Sequence, residues 1–523
     1  MSNPSSLLVD AQGALTISQN PDDLDALLSA TGRDADAVRL GVRTLSILHV
    51  DRIPADNWAT LPQLESLTIC ADKQSLAWFP RTLRASALPS LRRFTLRYEE
   101  NYGHLACPVL HGRFEALSDV TIEGCSMEMG AISAVLQPSL TALQLERNNF
   151  GAEGCAHLAQ ALQERACPVL ARFVLNKNDI GAEGCAHLVQ ALQQRACSSL
   201  THLHLQGSFI IVKGCEHLAH ALQQRAFLNL THLDLQWNGI REEGCARLAR
   251  ALQWRACPHL THLDLQWNGI REEGCAHLAH ALQEHACPYL TQLDLYGNAI
   301  GNEGCAHLAQ ALQEHACPRL THLNLKRNNI GSEGCAALAR GLQCPGSSDI
   351  ARIRLGLRYL GAGECAGVAR GLRRSPCSNL TQLVLNQNRI RDEGCVELAQ
   401  ALREHACPHL THLHLQWNHI KSDGCEALAR GLEGCLGIQH LDLQKNRIEA
   451  LPDALGELRS MTVLDISSNC IARIPPTLHA LILRLNKFWA DGNPLVEPPL
   501  TVYNQGFDAL KRHLREVRGG AVQ

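Results

Sequence analysis

The scarce residue types already exclude several classes of protein. Of the 523 residues only 4% are aromatic, and 48 Lys and Arg stand against 51 Asp and Glu, for a formal net charge of −3. This balance argues against a general affinity for nucleic acid or for an anionic membrane surface. No apolar run is long enough to span a bilayer, and no basic region precedes an apolar stretch at the start of the sequence. We therefore expect no membrane insertion and no secretory signal.

Common catalytic motifs are also missing. The sequence has no glycine-rich loop of the P-loop type, and no Ser or Thr stands apart beside a base. Basic stripes with interleaved aromatic residues, which single-stranded nucleic acids require, are absent too. We expect a protein that is not an enzyme, has no cofactor and binds no nucleic acid.

Cysteine is abundant, and its placement is periodic. Ten of the 23 cysteines recur every 30 residues, from Cys155 to Cys425, and a second column includes Cys167, Cys257 and Cys407. Phe227 replaces Cys in one repeat of the second column, so this position is apolar. Neighbouring repeat helices lie roughly 8–10 Å apart, beyond the ~7 Å between Cα atoms that a disulfide bridges. The pattern predicts reduced core thiols and therefore a reducing, cytoplasmic compartment.

The cysteine columns belong to a repeat that explains most of the chain. The stretch Leu230–Asn238 follows the pattern L-x-x-L-x-L-x-x-N and returns almost unchanged at Leu260–Asn268. Equivalent asparagines occur 30 or 60 residues apart, and Ser208 and Arg358 occupy this position in two degenerate copies. The alternation before Asn predicts a short strand with two buried leucines, and the period of the next segment predicts a helix.

Stacked units of this kind predict an α/β solenoid. Strands pack ~4.8 Å apart and helices roughly 8–10 Å apart, so the column should curve into a horseshoe. Its concave side would be a parallel sheet and its convex side a layer of helices. The buried Asn amide should bond backbone groups of its own and neighbouring coils, which water does not reach.

Changes in repeat length divide the chain. We expect an N-terminal cap at residues 1–40, including a short helix at Asp22–Ala30, then irregular repeats at 41–138. Regular 30-residue repeats follow at 139–436, short repeats at 437–493 and a C-terminal cap at 494–523. Pro258 should end the repeat helix that precedes it, with Cys257 as the closing core residue.

The regular repeats resemble the ribonuclease-inhibitor type of leucine-rich repeat, which also forms the sensor domains of NOD-like receptors. The likeness lies in L-x-x-L-x-L-x-x-N, in the Gly-Cys-Ala that opens each helix and in the following Leu-Ala-x-Ala-Leu. The segment from Leu451 to Leu458 resembles the short bacterial and plant type of repeat. These resemblances imply a fold and leave the partner open.

Candidate functional residues come from the concave face, read at six, four, two and one positions before each Asn. We expect a protein partner there, because exposed Trp and Tyr are favoured interface anchors. Acidic residues and flanking basic residues would orient that partner. The predicted contact residues are Trp237, Trp267, Tyr296, Trp417, Asp234, Asp264, Asp294, His232, His262, Lys326 and Arg327.

Metal binding by the concave histidines is a weaker hypothesis. His202, His204 and His232 lie on adjoining predicted strands with Asp234 and Asp264, and zinc accepts such side chains. However, an open sheet offers no closed pocket, and duplication alone repeats a histidine. We therefore predict no metal site.

Taken together, these observations favour a monomeric, non-catalytic protein-interaction scaffold in the cytoplasm. Two alternatives remain open: a GTPase-activating protein of the Ran type, which uses a related repeat fold, and a pathogen effector acting in the host cytoplasm. No acidic C-terminal tail is seen, which argues against the first alternative.

Overall fold

A computed structural model describes residues 14–18, 42–48, 61–71, 82–86, 88–98, 109–111, 113–125, 132–133, 135–164, 167–194, 197–314, 316–341, 352–354, 361–374 and 380–520. The chain divides into two compact units. The first unit comprises Met1–Ile240 and Arg250–Leu260, and the second comprises Arg241–Ala249 and Thr261–Gln523. The predicted helix at Asp22–Ala30 and the degenerate position Arg358 lie outside the described residues.

The first unit contains a parallel sheet whose strands pair in chain order. Its strands are β1 Ala14–Ser18, β2 Thr44–Leu48, β3 Ser66–Ala71, β5 Arg93–Tyr98, β7 Asp119–Glu123, β8 Ala142–Glu146, β9 Arg172–Val174, β10 His202–His204 and β11 His232–Asp234. A separate pair consists of β4 Thr82–Arg84 and β6 Val109–His111. Neighbouring helices pack beside one another: α1 Gly151–Glu164, α2 Gly181–Gln193 and α3 Ile211–Gln223.

The second unit repeats this arrangement with its own parallel sheet. Its strands are β12 His262–Asp264, β13 Gln292–Asp294, β14 His322–Asn324, β15 Arg352–Arg354, β16 Gln382–Val384, β17 His412–His414, β18 His440–Asp442, β19 Val463–Asp465 and β20 Lys487–Trp489. Helix α4, Arg241–Gln253, contributes residues to both units. The following helices are α5 Arg271–Gln283, α6 Gly301–Gln313, α7 Ser332–Gly341, α8 Ala362–Arg374, α9 Arg391–Arg403 and α10 Ser422–Leu432.

Burial follows the predicted repeat. In β12 the central Leu263 is buried, whereas His262 and Asp264 are partly exposed, so one face of the sheet is open to solvent. In α4 the predicted stripe of Cys245, Leu248, Ala249 and Leu252 is buried. The α/β solenoid arrangement of parallel strands and helices is therefore confirmed within each unit.

The buried asparagines form the predicted ladder. The side chain of Asn298 donates to the carbonyls of Leu265 at 2.8 Å and Leu295 at 3.0 Å. Its Oδ1 accepts from the backbone N–H of Asn268 at 2.9 Å. Asn298 is fully buried, so one side chain satisfies backbone groups of two successive repeats where water does not reach.

The Gly-Cys pair that opens each helix has a packing role that sequence reasoning missed. The Cys245 thiol donates to the carbonyl of Gly274 in the next helix at an Sγ···O distance of 3.3 Å. A Cβ added to Gly274 would lie 2.8 Å from Ile270 Cγ2 and 3.0 Å from Glu242 Cα, so the close approach requires glycine. Burial raises the pKa of Cys245 to about 12, which keeps the thiol protonated.

The cysteines within the described residues are free thiols, as predicted. Two details of the helix prediction are wrong, however. Helix α4 ends at Gln253, so Cys257 and Pro258 lie in the turn that follows the helix. Cys257 is still buried, because this turn folds back over the core.

Both ends of the chain add detail to the prediction. Strand β1 lies within the segment predicted as an N-terminal cap and pairs in register with β2. In the short repeats a 3-10 helix at Asp453–Glu457 replaces the full helix, and a second at Pro476–Leu478 continues into α11, His479–Arg484. Helix α12 is Leu500–Tyr503 and α13 is Phe507–Gly520. In α13, Leu510 and Leu514 are buried and Lys511 Nζ donates to the Leu485 carbonyl at 2.7 Å.

Candidate functional site

In each unit, the open sheet face, defined by the partly exposed strand residues, carries a row of histidines at the first strand position. Each of them follows a threonine whose Oγ1 lies 2.7–2.9 Å from the histidine Nδ1, at His202, His232, His262, His322 and His412. The threonine hydroxyl can also donate to a carbonyl of the preceding repeat, as Thr321 Oγ1 does to the Thr291 carbonyl at 3.0 Å and as Thr201, Thr231 and Thr411 do.

This geometry assigns the tautomer of the histidines. Because the hydroxyl proton of Thr321 is used on the carbonyl, its oxygen accepts from His322, and Nδ1 must carry the hydrogen. In the neutral ring Nε2 then keeps its lone pair. For His262, burial and the nearby His322 lower the pKa, which favours this neutral form.

The aspartates four positions before the buried asparagines, Asp264 and Asp294, are held by hydrogen bonds at the ends of their strands. Asp264 accepts from the backbone N–H of Gln266 at 3.1 Å and from the Gln266 side chain at 3.0 Å. Asp294 accepts from the backbone N–H of Tyr296 at 3.0 Å and from Asn324 Nδ2 at 2.8 Å. These hydrogen bonds fix the orientation of both carboxylates, within the repeat for Asp264 and also through the next repeat for Asp294.

Trp267, Tyr296 and Arg327 form a cluster on successive repeats of the second unit, here termed the aromatic cluster. The Trp267 and Tyr296 rings meet edge to face with centroids 5.4 Å apart. The Arg327 guanidinium lies 5.8 Å from the Trp267 ring and 5.5 Å from the Tyr296 ring. A Cβ on Gly297 would approach Trp267 Cδ2 at 2.8 Å, so the indole packs directly on this glycine.

The other predicted tryptophans stand in different surroundings. Trp237 belongs to the first unit, where half of its surface is exposed. Trp417 is equally exposed, and Lys445 Nζ lies 4.5 Å from its ring centroid. Of the predicted contact residues, the structure therefore brings Trp267, Tyr296 and Arg327 together, with Asp294 bonded beside them.

A group of residues that the sequence analysis did not single out lies on β17 and β18. Here termed the β17–β18 cluster, it consists of His414, His440 and Asp442, whose ligand atoms all lie within 4.8 Å of one another. His414 Nδ1 is 3.7 Å from Asp442 Oδ2, and the rings of His414 and His440 are 4.9 Å apart. Burial, with His414 and His412 nearby, lowers the pKa of His440 to about 4.

The first unit carries the same residue types at equivalent positions. On β10 and β11, His204 Nδ1 lies 3.4 Å from Asp234 Oδ2, while His202 and His232 stack at 4.0 Å. The buried Nε2 of His204 has no hydrogen-bond partner. The two groups of residues thus contain the same residue types. They differ in their closest pair of rings, which is His202 with His232 in the first unit and His414 with His440 in the second.

A basic pocket of about 350 Å³ lies among the segments that follow β16, β17 and β18. It is lined by Arg389, Arg391, Asp392, Glu393, His419, Lys421 and Arg447. Asp392 Oδ1 accepts from the backbone N–H groups of Lys421 and Gly424, so it orders the start of helix α10. Burial and the arginines around His419 lower the pKa of that histidine.

Comparison with known proteins identifies the repeat. A family model described as "Leucine Rich repeat" matches residues 137–159, 228–249, 256–279, 286–309, 316–339, 377–399 and 406–429. These segments are leucine-rich repeats, as the spacing of their leucines and asparagines predicts. None of the curated proteins compared with this sequence matches it.

Solved structures resemble the chain at low identity. A chain of the TLR13-ssRNA13 complex is 16% identical, with a TM-score of 0.47, over 91% of this chain and 76% of that one. A chain of the Rad7 and Elc1 complex of yeast is 17% identical, with a TM-score of 0.40, over 68% of this chain and 76% of that one.

Among the helices of the described residues, none combines the length and the hydrophobicity that crossing a bilayer requires.

Proposed function

Because leucine-rich repeats build this chain, we propose that it is a non-catalytic protein-interaction scaffold. The partner is a protein, which binds the open sheet face of the second unit at the aromatic cluster. The observation that carries this proposal is the contact between Trp267, Tyr296 and Arg327, three residues of types that dominate the energy of protein interfaces.

The geometry of the aromatic cluster suits recognition of another protein. Trp267 is held by Gly297 beneath it and by Arg327 above it, so little side-chain freedom is lost when a partner covers it. Asp264 and Asp294 are fixed on the same face by their own strand ends. Together with the basic Arg327 and Lys326, these aspartates present both signs of charge on this face. Such a charge pattern orients a partner more than it tightens binding.

The proposal is tested by enrichment of bound proteins with matched variants. The first variant combines Trp267→Ala with Tyr296→Ala, and the control combines His277→Ala with His307→Ala on the exposed surface of α5 and α6. Loss of two anchor side chains should weaken binding by on the order of 2–4 kcal/mol, roughly 30-fold or more. Circular dichroism should show that both variants remain folded.

The outcome is decided by comparing the bound proteins, identified by mass spectrometry. A partner retained by wild type and by the helix control, and lost from the aromatic variant, supports binding at the aromatic cluster. A partner lost only from the helix control would place recognition on the helices and contradict the proposal.

The buried thiols support a cytoplasmic location. Burial raises the pKa of Cys245 and of Cys275, and each donates a hydrogen bond to a backbone carbonyl, an arrangement that needs the reduced thiol. Alkylation of the natural protein after denaturation without a reductant should label every cysteine. A stoichiometric Cys245–Cys275 disulfide would contradict this location.

We further propose a monomer, for which sedimentation equilibrium should return 57.3 kDa.

A further inference from the structure

We propose that His414, His440 and Asp442 bind one Zn²⁺ ion, with water completing the coordination. In the described part of the chain this is the group of three whose ligand atoms approach one another within 4.8 Å. Tetrahedral zinc with bonds of about 2.0–2.1 Å holds its ligand atoms roughly 3.3–3.4 Å apart. The ligand atoms must therefore approach one another by up to about 1.5 Å, and rotation of the two imidazoles about their side-chain bonds is the movement that brings them together.

The strand register produces this convergence. In the parallel pairing of β17 with β18, His412 stands opposite His440 and His414 stands opposite Asp442. The partly exposed His414 and His440 and the buried Asp442 therefore project from the same side of the sheet. Two imidazole nitrogens and one carboxylate oxygen form a ligand set that zinc accepts in open sites with three protein ligands.

A hydrogen bond orients the carboxylate toward the imidazoles. Asp442 is buried, and its Oδ1 accepts from the backbone N–H of Gln444 at 3.0 Å. This bond leaves Oδ2 facing His414 Nδ1 at 3.7 Å. A carboxylate fixed by a backbone donor is the kind of outer contact that positions metal ligands.

The charges around the cluster favour a cation. Asp442 on β18 stands opposite Asp465 on β19 in the strand register, and Asp491 lies close enough to Asp465 to act on it electrostatically. Acidic residues therefore follow one another along this part of the sheet. Lys487, on β20, opposes them, but its ammonium also lies 5.9 Å from the ring of Trp489. Asp442 and Asp465 thus place two carboxylates on adjoining strands, and Lys487 follows on the next strand.

A single residue explains why the equivalent positions on β10 and β11 do not converge in this way. There Thr231 lies 2.8 Å from His232 Nδ1 and holds the ring stacked on His202. Before His440 the chain has Gln439 in place of threonine, so no threonine hydroxyl holds this ring. The His440 ring instead lies 4.9 Å from His414, tilted by 53°.

The test is a titration of the full chain with Zn²⁺, in competition with a chromophoric chelator. Exposed Cys470 is replaced in all proteins by Cys470→Ser, so that its thiol does not contribute. Wild type should bind one equivalent, and His440→Asn or Asp442→Asn should weaken binding by at least about tenfold. His322→Asn, in the same histidine row, is the matched control and should bind as wild type does.

A second variant tests the role of the missing threonine. Gln439→Thr should draw His440 toward the new hydroxyl and lower the affinity for Zn²⁺ by about 10- to 100-fold, the range typical of outer-shell changes. Its melting temperature without metal should equal that of wild type, whereas Zn²⁺ should raise the wild-type value more than the variant value.

Cobalt provides a readout of the ligands themselves. Co²⁺ bound at this cluster should show the visible absorption of a tetrahedral ion and no sulfur-to-cobalt charge-transfer band. Equal Zn²⁺ affinity for wild type and His440→Asn, with both proteins folded by circular dichroism, would overturn the proposal. A sulfur-to-cobalt band in the Cys470→Ser background, or loss of binding in His322→Asn, would overturn it as well.

Discussion

Replacing Asn298 by alanine tests the asparagine ladder most directly. The side chain donates to the carbonyls of Leu265 and Leu295 and accepts from the backbone N–H of Asn268, all at 2.8–3.0 Å in a fully buried position. A buried backbone group that loses its partner costs roughly 1–3 kcal/mol. Three such groups sum to at least about 3 kcal/mol, and relaxation of the turn keeps the total near this lower end. We expect Asn298→Ala to lower the free energy of unfolding by about 3–4 kcal/mol.

Urea denaturation followed by circular dichroism measures this loss, with the slope monitored because repeat proteins can lose cooperativity. Gln292→Ala, on the exposed face of β13 in the same repeat, is the control and should change stability by less than about 0.5 kcal/mol. Asn298→Ser should fall between the two, because Ser208 occupies the same position naturally and its hydroxyl donates to the Leu175 carbonyl at 3.2 Å. Equal stability of Asn298→Ala and Gln292→Ala would refute the assignment of the ladder.

Further predictions concern packing, thiols and pH. Gly274→Ala places a methyl 2.8–3.0 Å from packed neighbours and should destabilise the protein by about 1–3 kcal/mol, whereas Gly363→Ala, with open space around it, should stabilise it in the same urea assay. In the native state iodoacetamide should label exposed Cys470 and spare buried Cys245, as peptide mass spectrometry would show, and equal labelling would contradict the packing. Burial lowers the folded-state pKa of His262, so the unfolded chain binds the proton first. The stability contributed by this histidine is therefore present above about pH 6.5 and declines as pH falls below that value. His262→Gln should reduce this decline in melts from pH 7.5 to 5, and an unchanged profile would contradict the assignment.

The repeated parts of the fold could be predicted because duplication presents the same physical problem many times. The leucines of each strand, the Asn that follows and the stripe of Cys245, Leu248 and Leu252 recur at fixed spacing, and each has one stable solution. Strand β1 was missed because Ala14–Ser18 lacks the Asn and the regular helix that mark the later copies. Its place depends on pairing with β2, which is not encoded locally.

The candidate site could be predicted as a face but not as a set of contacts. Counting back from each Asn finds Trp267 and Tyr296, whereas the position of Arg327 over both rings depends on side-chain rotamers in neighbouring repeats. The orientation of His440, which we attribute to Gln439 in place of threonine, could not be predicted either, because the Thr–His contacts of other repeats become visible only in the structure. The residues of the site could be read from the sequence, but the contacts between their side chains could not.

The backbone conformation before each ladder asparagine has a consequence for how such a chain diversifies. Trp267, Arg327 and Trp417 have left-handed φ angles of 53°, 56° and 58° there, and Gly297 has φ 70° at the equivalent position. A side chain with a Cβ costs about 1–2 kcal/mol in this conformation, so the fold itself would favour glycine. Each bulky residue at this position is therefore present despite the conformational cost of its positive φ angle. Because the backbone is fixed by the adjacent turn while the side chain is not, mutation can exchange what each coil presents to solvent without altering the core. The position can thus vary independently from coil to coil, as the tips of antibody loops vary on a constant framework.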